Sequence, residues 1–63
     1  MTVQHAQAAA RYRTIADLLA ADGRVDVVHI ANRLGVAQET IRRDLRAIET
    51  AGKLQRVHGG AVR

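Results

Sequence analysis

The stretch VVHIANRLGVAQETIRRDL, residues 27–45, contains two apolar stripes separated by a single glycine. Val27, Ile30, Ala31 and Leu34 stand at i, i+3, i+4 and i+7, the spacing that gathers four side chains on one helix face. Asp26 precedes them and suits an N-cap, because its carboxylate can accept from the free amides of a first turn. Gly35 ends this segment, and after only Gly35-Val36-Ala37 a second pattern begins. It runs from about Gln38 to Ala51, with Ile41, Leu45 and Ile48 as its stripe and Gly52 as its stop.

Two short helices joined by a three-residue turn containing glycine form the helix-turn-helix pattern. Ala31 is small where the helices come closest, Gly35 accepts a backbone angle that a Cβ resists, and Val36 and Ile41 fill the angle between them. Upstream, Ala8, Tyr12, Ile15, Leu18 and Leu19 predict a helix from about Ala6 to Asp22, capped by Gly23. Residues 1–5 read as a disordered tail, leaving residues 6–63 as the domain. Downstream, in KLQRVHGGAVR (residues 53–63), Leu54 to Val57 is strand-like, Gly59-Gly60 signals a turn, and Ala61-Val62-Arg63 can return. Arg24-Val25 is too short for an independent strand but can pair with this hairpin. The expected fold is mainly α with a small β-hairpin wing: a winged helix-turn-helix of three helices and a short antiparallel sheet.

Bulk properties narrow the function. The 63 residues contain no Cys, Phe or Trp, and Tyr12 is the only aromatic, so the core must be aliphatic and no disulfide or cysteine–zinc staple is available. No apolar run approaches a membrane span, and the N-terminus lacks a secretory pattern, which together predict a soluble cytoplasmic domain with no membrane partner. The formal charge is +4 and uneven. Residues 1–37 carry four arginines against three aspartates, whereas residues 38–63 carry five arginines and Lys53 against Glu39, Asp44 and Glu49. A basic C-terminal half fits a polyanionic partner.

The third helix concentrates that charge. With Ile41 at 0° and about 100° per residue, Leu45 and Ile48 fall within about 40° of it, while Arg42, Arg46 and Arg43 fall near 100°, 140° and 200°. All three arginines point outward, where the second helix of this motif would meet a major groove. Arg can bridge guanine O6 and N7 or grip phosphate, Gln38 can pair with adenine, and Glu39 can accept from a cytosine amine. Thr40 can offer its hydroxyl to phosphate or simply start the helix. The competing interpretation is an ordinary solvated face with Glu39–Arg43, Arg42–Glu49 and Arg46–Glu49 pairs. Asp44, near 300°, borders the core and is expected to form a structural salt bridge, with Arg11 the candidate partner. In the hairpin, Gly59 and Gly60 allow close approach to a sugar-phosphate chain with Arg56 and His58 as flanking donors; the alternative is a tight turn and nothing more. His5 and His29 have no metal-ligand spacing and read as surface residues. No nucleophile–base constellation or phosphate loop is visible, so no enzyme activity, cofactor or metal is expected.

These residues carry a resemblance. GRVDVVHIANRLGVAQETIRRDLRAIETAGKLQRVHGGA, with Arg11 and Ile15 upstream, closely resembles the N-terminal winged-helix domain of the DeoR family of bacterial transcription regulators. The pattern consists of G-x-V-x-V, then T-I-R-R-D-L, then H-G-G-A, and it covers nearly everything after residue 10. The resemblance implies sequence-specific binding to a double-stranded operator, with recognition-helix contacts at Thr40, Arg42 and Arg43 and wing contacts at His58, Gly59 and Gly60. It also implies a repressor of a sugar or nucleoside catabolism operon. Family proteins carry a larger C-terminal domain that binds a phosphorylated sugar and builds homo-oligomers; that domain is not in this sequence, so the domain alone is expected to be monomeric and without effector response. The family usually has serine where this chain has Ala37, which removes an N-cap. Two alternatives from other classes are a winged-helix protein-interaction module, which needs an apolar patch on the outer helix face, and RNA binding, which needs aromatic platforms.

Overall fold

The computed structural model describes residues 7–63, so the tail expected over residues 1–5 lies outside the described residues. Along the chain come α1 (Ala8–Asp22), β1 (Arg24–Asp26), α2 (Val27–Leu34), α3 (Gln38–Thr50), β2 (Gln55–Val57) and β3 (Gly60–Val62). The strands form one antiparallel sheet in the order β1-β3-β2, so the Arg24-Val25 segment does become the third strand beside the hairpin.

Local chemistry sets most boundaries. The Asp26 carboxylate accepts from the Val28 and His29 amides at 2.8 and 3.2 Å, the N-cap that its position predicts. At the other end of α2, Gly35 takes the left-handed conformation and the Val36 amide donates back to the Ala31 carbonyl at 3.1 Å. Helix α3 ends in a Schellman arrangement: Gly52 N–H donates to Glu49 O at 2.8 Å and Lys53 N–H to Ile48 O at 3.2 Å. Its N-terminus is less well served, since Ala37 gives no side-chain cap.

The hairpin turn is one residue earlier than Gly59-Gly60 suggests. Its corner residues are His58 and Gly59, with Val57 paired to Gly60, and only Gly59 has positive φ, at 79°. Gly60 is a buried strand residue instead. It is glycine for a steric reason: a Cβ there would lie 2.0 Å from the Val25 carbonyl oxygen across the β1–β3 pair. The turn is also tied down, because the Val27 amide donates to Gly59 O at 2.9 Å.

The core joins α1, β1, α2, α3 and β3 with the segment before β2: Ile15, Leu19, Val25, Val27, Ile30, Ala31, Ile41, Leu45, Leu54 and Ala61, with Leu18, Leu34, Val36 and Ile48 packed at its edge. Ile15, Ile30, Ile41 and Leu45 are the largest fully buried side chains, each worth about 1.5–3 kcal/mol of transfer free energy. One expectation fails. Tyr12 sits on the predicted core stripe yet remains 38% exposed, and Ala8 is exposed, because α1 runs past the edge of the helices and strands that cover its C-terminal half.

A polar contact lies within this packing. Asp44 is only 4% exposed, and Arg11 holds it with a fork, Nε to Oδ2 at 2.5 Å and Nη2 to Oδ1 at 3.1 Å. This is the partnership that the placement of both residues suggests. At the chain's far end, the Arg63 amide donates to Gly23 O at 2.9 Å and its guanidinium to Ala20 O at 3.3 Å, placing a cation at the C-terminus of α1.

The bare N-terminus of α3 yields a prediction. Ala37→Ser should supply the missing acceptor, stabilise the domain by about 1 kcal/mol and raise its melting temperature by about 4–8 °C. Thermal unfolding by circular dichroism checks this; an unchanged or lower midpoint would contradict capping of α3 at residue 37.

Candidate nucleic-acid interface

Because Ile41, Asp44 and Leu45 are buried, α3 has one possible outer face. Gln38, Glu39, Arg42, Arg43 and Arg46 are exposed on it, and Thr40 is half-buried at its margin. The structure thus brings all six predicted positions onto one helix and turns the three arginines toward solvent.

These side chains are organised among themselves. Glu39 lies 3.8 Å from Arg42 and 3.5 Å from Arg46, and Gln38 Oε1 accepts from Arg42 Nη2 at 3.3 Å. The Glu39–Arg43, Arg42–Glu49 and Arg46–Glu49 pairs of the solvated-face interpretation do not form. Arg43 points from a different angle of the helix and makes no ion pair among the described residues. Each side chain in the Glu39 network is about half exposed or more, so the contacts are worth at most about 1 kcal/mol and yield readily to a phosphate or base.

The wing behaves differently. His58 and Gly59 are exposed at the turn, whereas Gly60 is buried between β1 and β2. Gly60 also serves the sheet, since a Cβ there has no room beside Val25. Arg56 is exposed but already engaged. Its Nε donates to Glu49 Oε1 at 2.8 Å and its backbone N–H to Glu49 Oε2 at 3.1 Å. Sequence reading misses this contact because it spans the end of α3, the Schellman turn and the first strand residues, and no helical or strand period links positions 49 and 56.

Electrostatics follow the same contacts. The hydrogen bond to Asp44 raises the Arg11 pKa above its ordinary value, with burial acting in the opposite sense. The backbone N–H of Arg56, then its side chain, hold the Glu49 carboxyl below its ordinary value. Among the described residues no group of three or more His, Cys, Asp or Glu could hold a metal ion, and no helix is long and apolar enough to cross a membrane.

Among the described residues, the large apolar side chains left exposed are Tyr12, Val28 and Val57. None lies on α3. An apolar groove of about 530 Å³ runs elsewhere, between α1 and the end of α3, lined by Tyr12, Ile15, Ala16, Leu19 and Ile48 among others. The outer face of α3 therefore lacks the apolar patch expected of the protein-interaction alternative.

A helix-turn-helix with an arginine-faced second helix is now in place, and comparison with known proteins agrees with it. The profile of the DeoR-like helix-turn-helix domain matches residues 11–63. The chain belongs to the DeoR-like helix-turn-helix family. Among its relatives, the HTH-type transcriptional regulator GlpR of Haloferax volcanii is 47% identical over 55 residues, covering 86% of this chain and 21% of that protein. The lactose phosphotransferase system repressor of Lactococcus lactis subsp. lactis is 43% identical over 51 residues, covering 81% of this chain and 20% of that protein. The regulator UlaR of Salmonella arizonae is 40% identical over 53 residues, covering 84% and 21%. The chain thus spans about a fifth of the length of these curated relatives. No solved structure matches. Family members of this kind are DNA-binding transcription regulators, a class that is in general not enzymatic.

The lowered Glu49 pKa gives a pH prediction. A carboxylate depressed in the folded state stabilises its contact above the unfolded-state pKa and loses it as pH falls through the folded one. The Glu49–Arg56 contact should therefore persist through the ordinary glutamate range near about 4.3 and release only below it. An NMR titration of the Arg56 amide shift checks this; a midpoint at or above the ordinary value would contradict the contact.

Proposed function

We propose that this chain binds duplex DNA sequence-specifically, docking residues 38–46 of α3 in the major groove with the His58-Gly59 turn over the backbone or minor groove. One observation carries the reading. Arg42, Arg43 and Arg46 fan out on the exposed face of α3, while the helix's buried face is fixed by Ile41, Asp44 and Leu45. The arginines supply phosphate contacts, each of which steepens the salt dependence by about 0.9 in the log–log slope. Gln38, Glu39, Arg42 and Arg43 supply base readout. The Glu39 network gathers Arg42 and Arg46 loosely and yields them to DNA.

The chain serves as the DNA-binding part of a regulator of sugar or nucleoside catabolism, in keeping with a relative named as a lactose phosphotransferase system repressor. Repression fits that name. In the intact protein a further domain binds a phosphorylated sugar and brings copies together, and joining two weakly binding domains raises affinity through effective concentration. The domain spanning residues 6–63 is monomeric by itself and answers to no effector. It is not an enzyme, and its place is the cytoplasm, where its operator lies.

Selection of bound sequences from a random duplex pool tests this, run beside an Arg42→Ala/Arg43→Ala variant. The expected result is an enriched motif in the wild type that collapses in the variant. Retention without a motif, lost with rising salt in both proteins, would reduce the activity to phosphate binding. No retention at low salt would favour the protein-interaction module.

A further inference from the structure

The Glu49–Arg56 contact joins the last turn of α3 to an edge strand. Strand β2 pairs on one side with β3 and, among the described residues, has no strand on its other side. All three of its residues are exposed. In the hairpin register Val57↔Gly60 and Arg56↔Ala61, a two-residue turn makes the first pair the hydrogen-bonded one. The Arg56 amide therefore points away from β3, an open donor at a sheet edge. Glu49 closes it. One carboxylate oxygen takes that amide at 3.1 Å and the other takes the guanidinium Nε at 2.8 Å.

Beyond the β1–β3 ladder and buried Ala61, three contacts hold the wing: Leu54 in the core just before β2, the Val27 amide on Gly59 O, and Glu49 on Arg56. The first two belong to the body of the domain. The third runs, side chain to side chain, from the helix that carries the arginine face to the strand that leads into the turn.

We propose that Glu49 and Arg56 lock the wing to the recognition helix, making Glu49 a positioning residue for DNA binding and Arg56 a structural cation in place of a phosphate donor. The proposal rests on the DNA-binding reading above. An arginine whose Nε is taken by a carboxylate has less positive field to offer a phosphate, and moving it to DNA would also leave the Glu49 charge facing the duplex. The lock avoids both by fixing the relative position of α3 and the turn before binding, so that the ordering cost is not met at the interface.

The alternative has the opposite sign. If Arg56 is a phosphate donor, Glu49 merely competes with DNA for it, and removing Glu49 tightens binding. The test measures affinity of the wild-type chain, Glu49→Ala, Arg56→Ala, Arg56→Lys and the Glu49→Ala/Arg56→Ala double variant for the most enriched duplex of the random-pool selection, across a salt series. Both side chains are more than a third exposed, so the variants should fold, and thermal melting verifies that they do. The lock predicts that every variant binds about three- to tenfold more weakly, that the double variant is no worse than either single one, and that the salt slope stays at the wild-type value. Arg56→Lys should fail like Arg56→Ala, because lysine keeps the charge but lacks the Nε that Glu49 holds.

Tighter binding by Glu49→Ala would overturn the lock. So would a slope reduced by about 0.9 in Arg56→Ala with Arg56→Lys behaving as wild type. A wild-type chain that enriches no duplex removes the DNA-binding reading itself and the proposal with it, a failure recognisable before any variant is compared.

Discussion

The orientation of the arginine face of α3 depends on one contact, the forked ion pair between Arg11 of α1 and Asp44 of α3. A carboxylate that is only 4% exposed must have a partner, since an unpaired buried charge costs several kcal/mol. Arg11 meets it with two donors in the planar geometry suited to carboxylates. The consequence is rotational. Turning α3 by one residue, about 100°, would bring Arg43 to Arg11 and set two cations against each other, while Ile41 and Leu45 would leave the core. The pair therefore selects a single rotation of α3, and in that rotation Arg42, Arg43 and Arg46 face solvent. Its main contribution is orientation, because the desolvation of both groups offsets much of their attraction.

The sheet fixes the other half of the surface by a steric device. Gly60 lies so close to the Val25 carbonyl that no side chain fits, and this close approach lets β1 join the hairpin and bury Val25 and Ala61 together. The hairpin turn is then attached to the first residue of α2 through Gly59 and to α3 through Glu49 and Arg56. A wing of two three-residue strands has little intrinsic stability. Here it is held by contacts to all the elements around it, and the molecule needs no aromatic side chain in its core.

Much of this was legible in the sequence because it is local or periodic. The i, i+3, i+4 pattern of α2, the Asp26 cap, the glycine stops and the outward arc of arginines each follow from spacing along a helix. Arg11–Asp44 was also within reach, since both residues sit at the edge of an apolar stripe and carry opposite charges. What escaped depends on where non-local backbone runs. Tyr12 follows the α1 period but has nothing above it to bury it. Gly59 and Gly60 look interchangeable in sequence, yet one turns the chain and the other makes room for a neighbouring strand. Glu49 appeared suited to helical partners at its own spacing, and only the turn after α3 brings Arg56 to it.

Together the ion pair, the sheet and the proposed lock describe a surface whose arginine face and hairpin turn are held in place within the free chain. The measurement that tests this most directly is an NMR titration of the isotopically labelled chain with the duplex enriched from the random pool. The account predicts that the largest amide and side-chain shifts fall on Gln38, Glu39, Thr40, Arg42, Arg43 and Arg46 and on the turn at His58 and Gly59, while Arg11 and Asp44 stay in contact. Shifts centred on Tyr12, Ala16 and Ile48, along the apolar groove between α1 and the end of α3, with the arginine face unmoved, would contradict it.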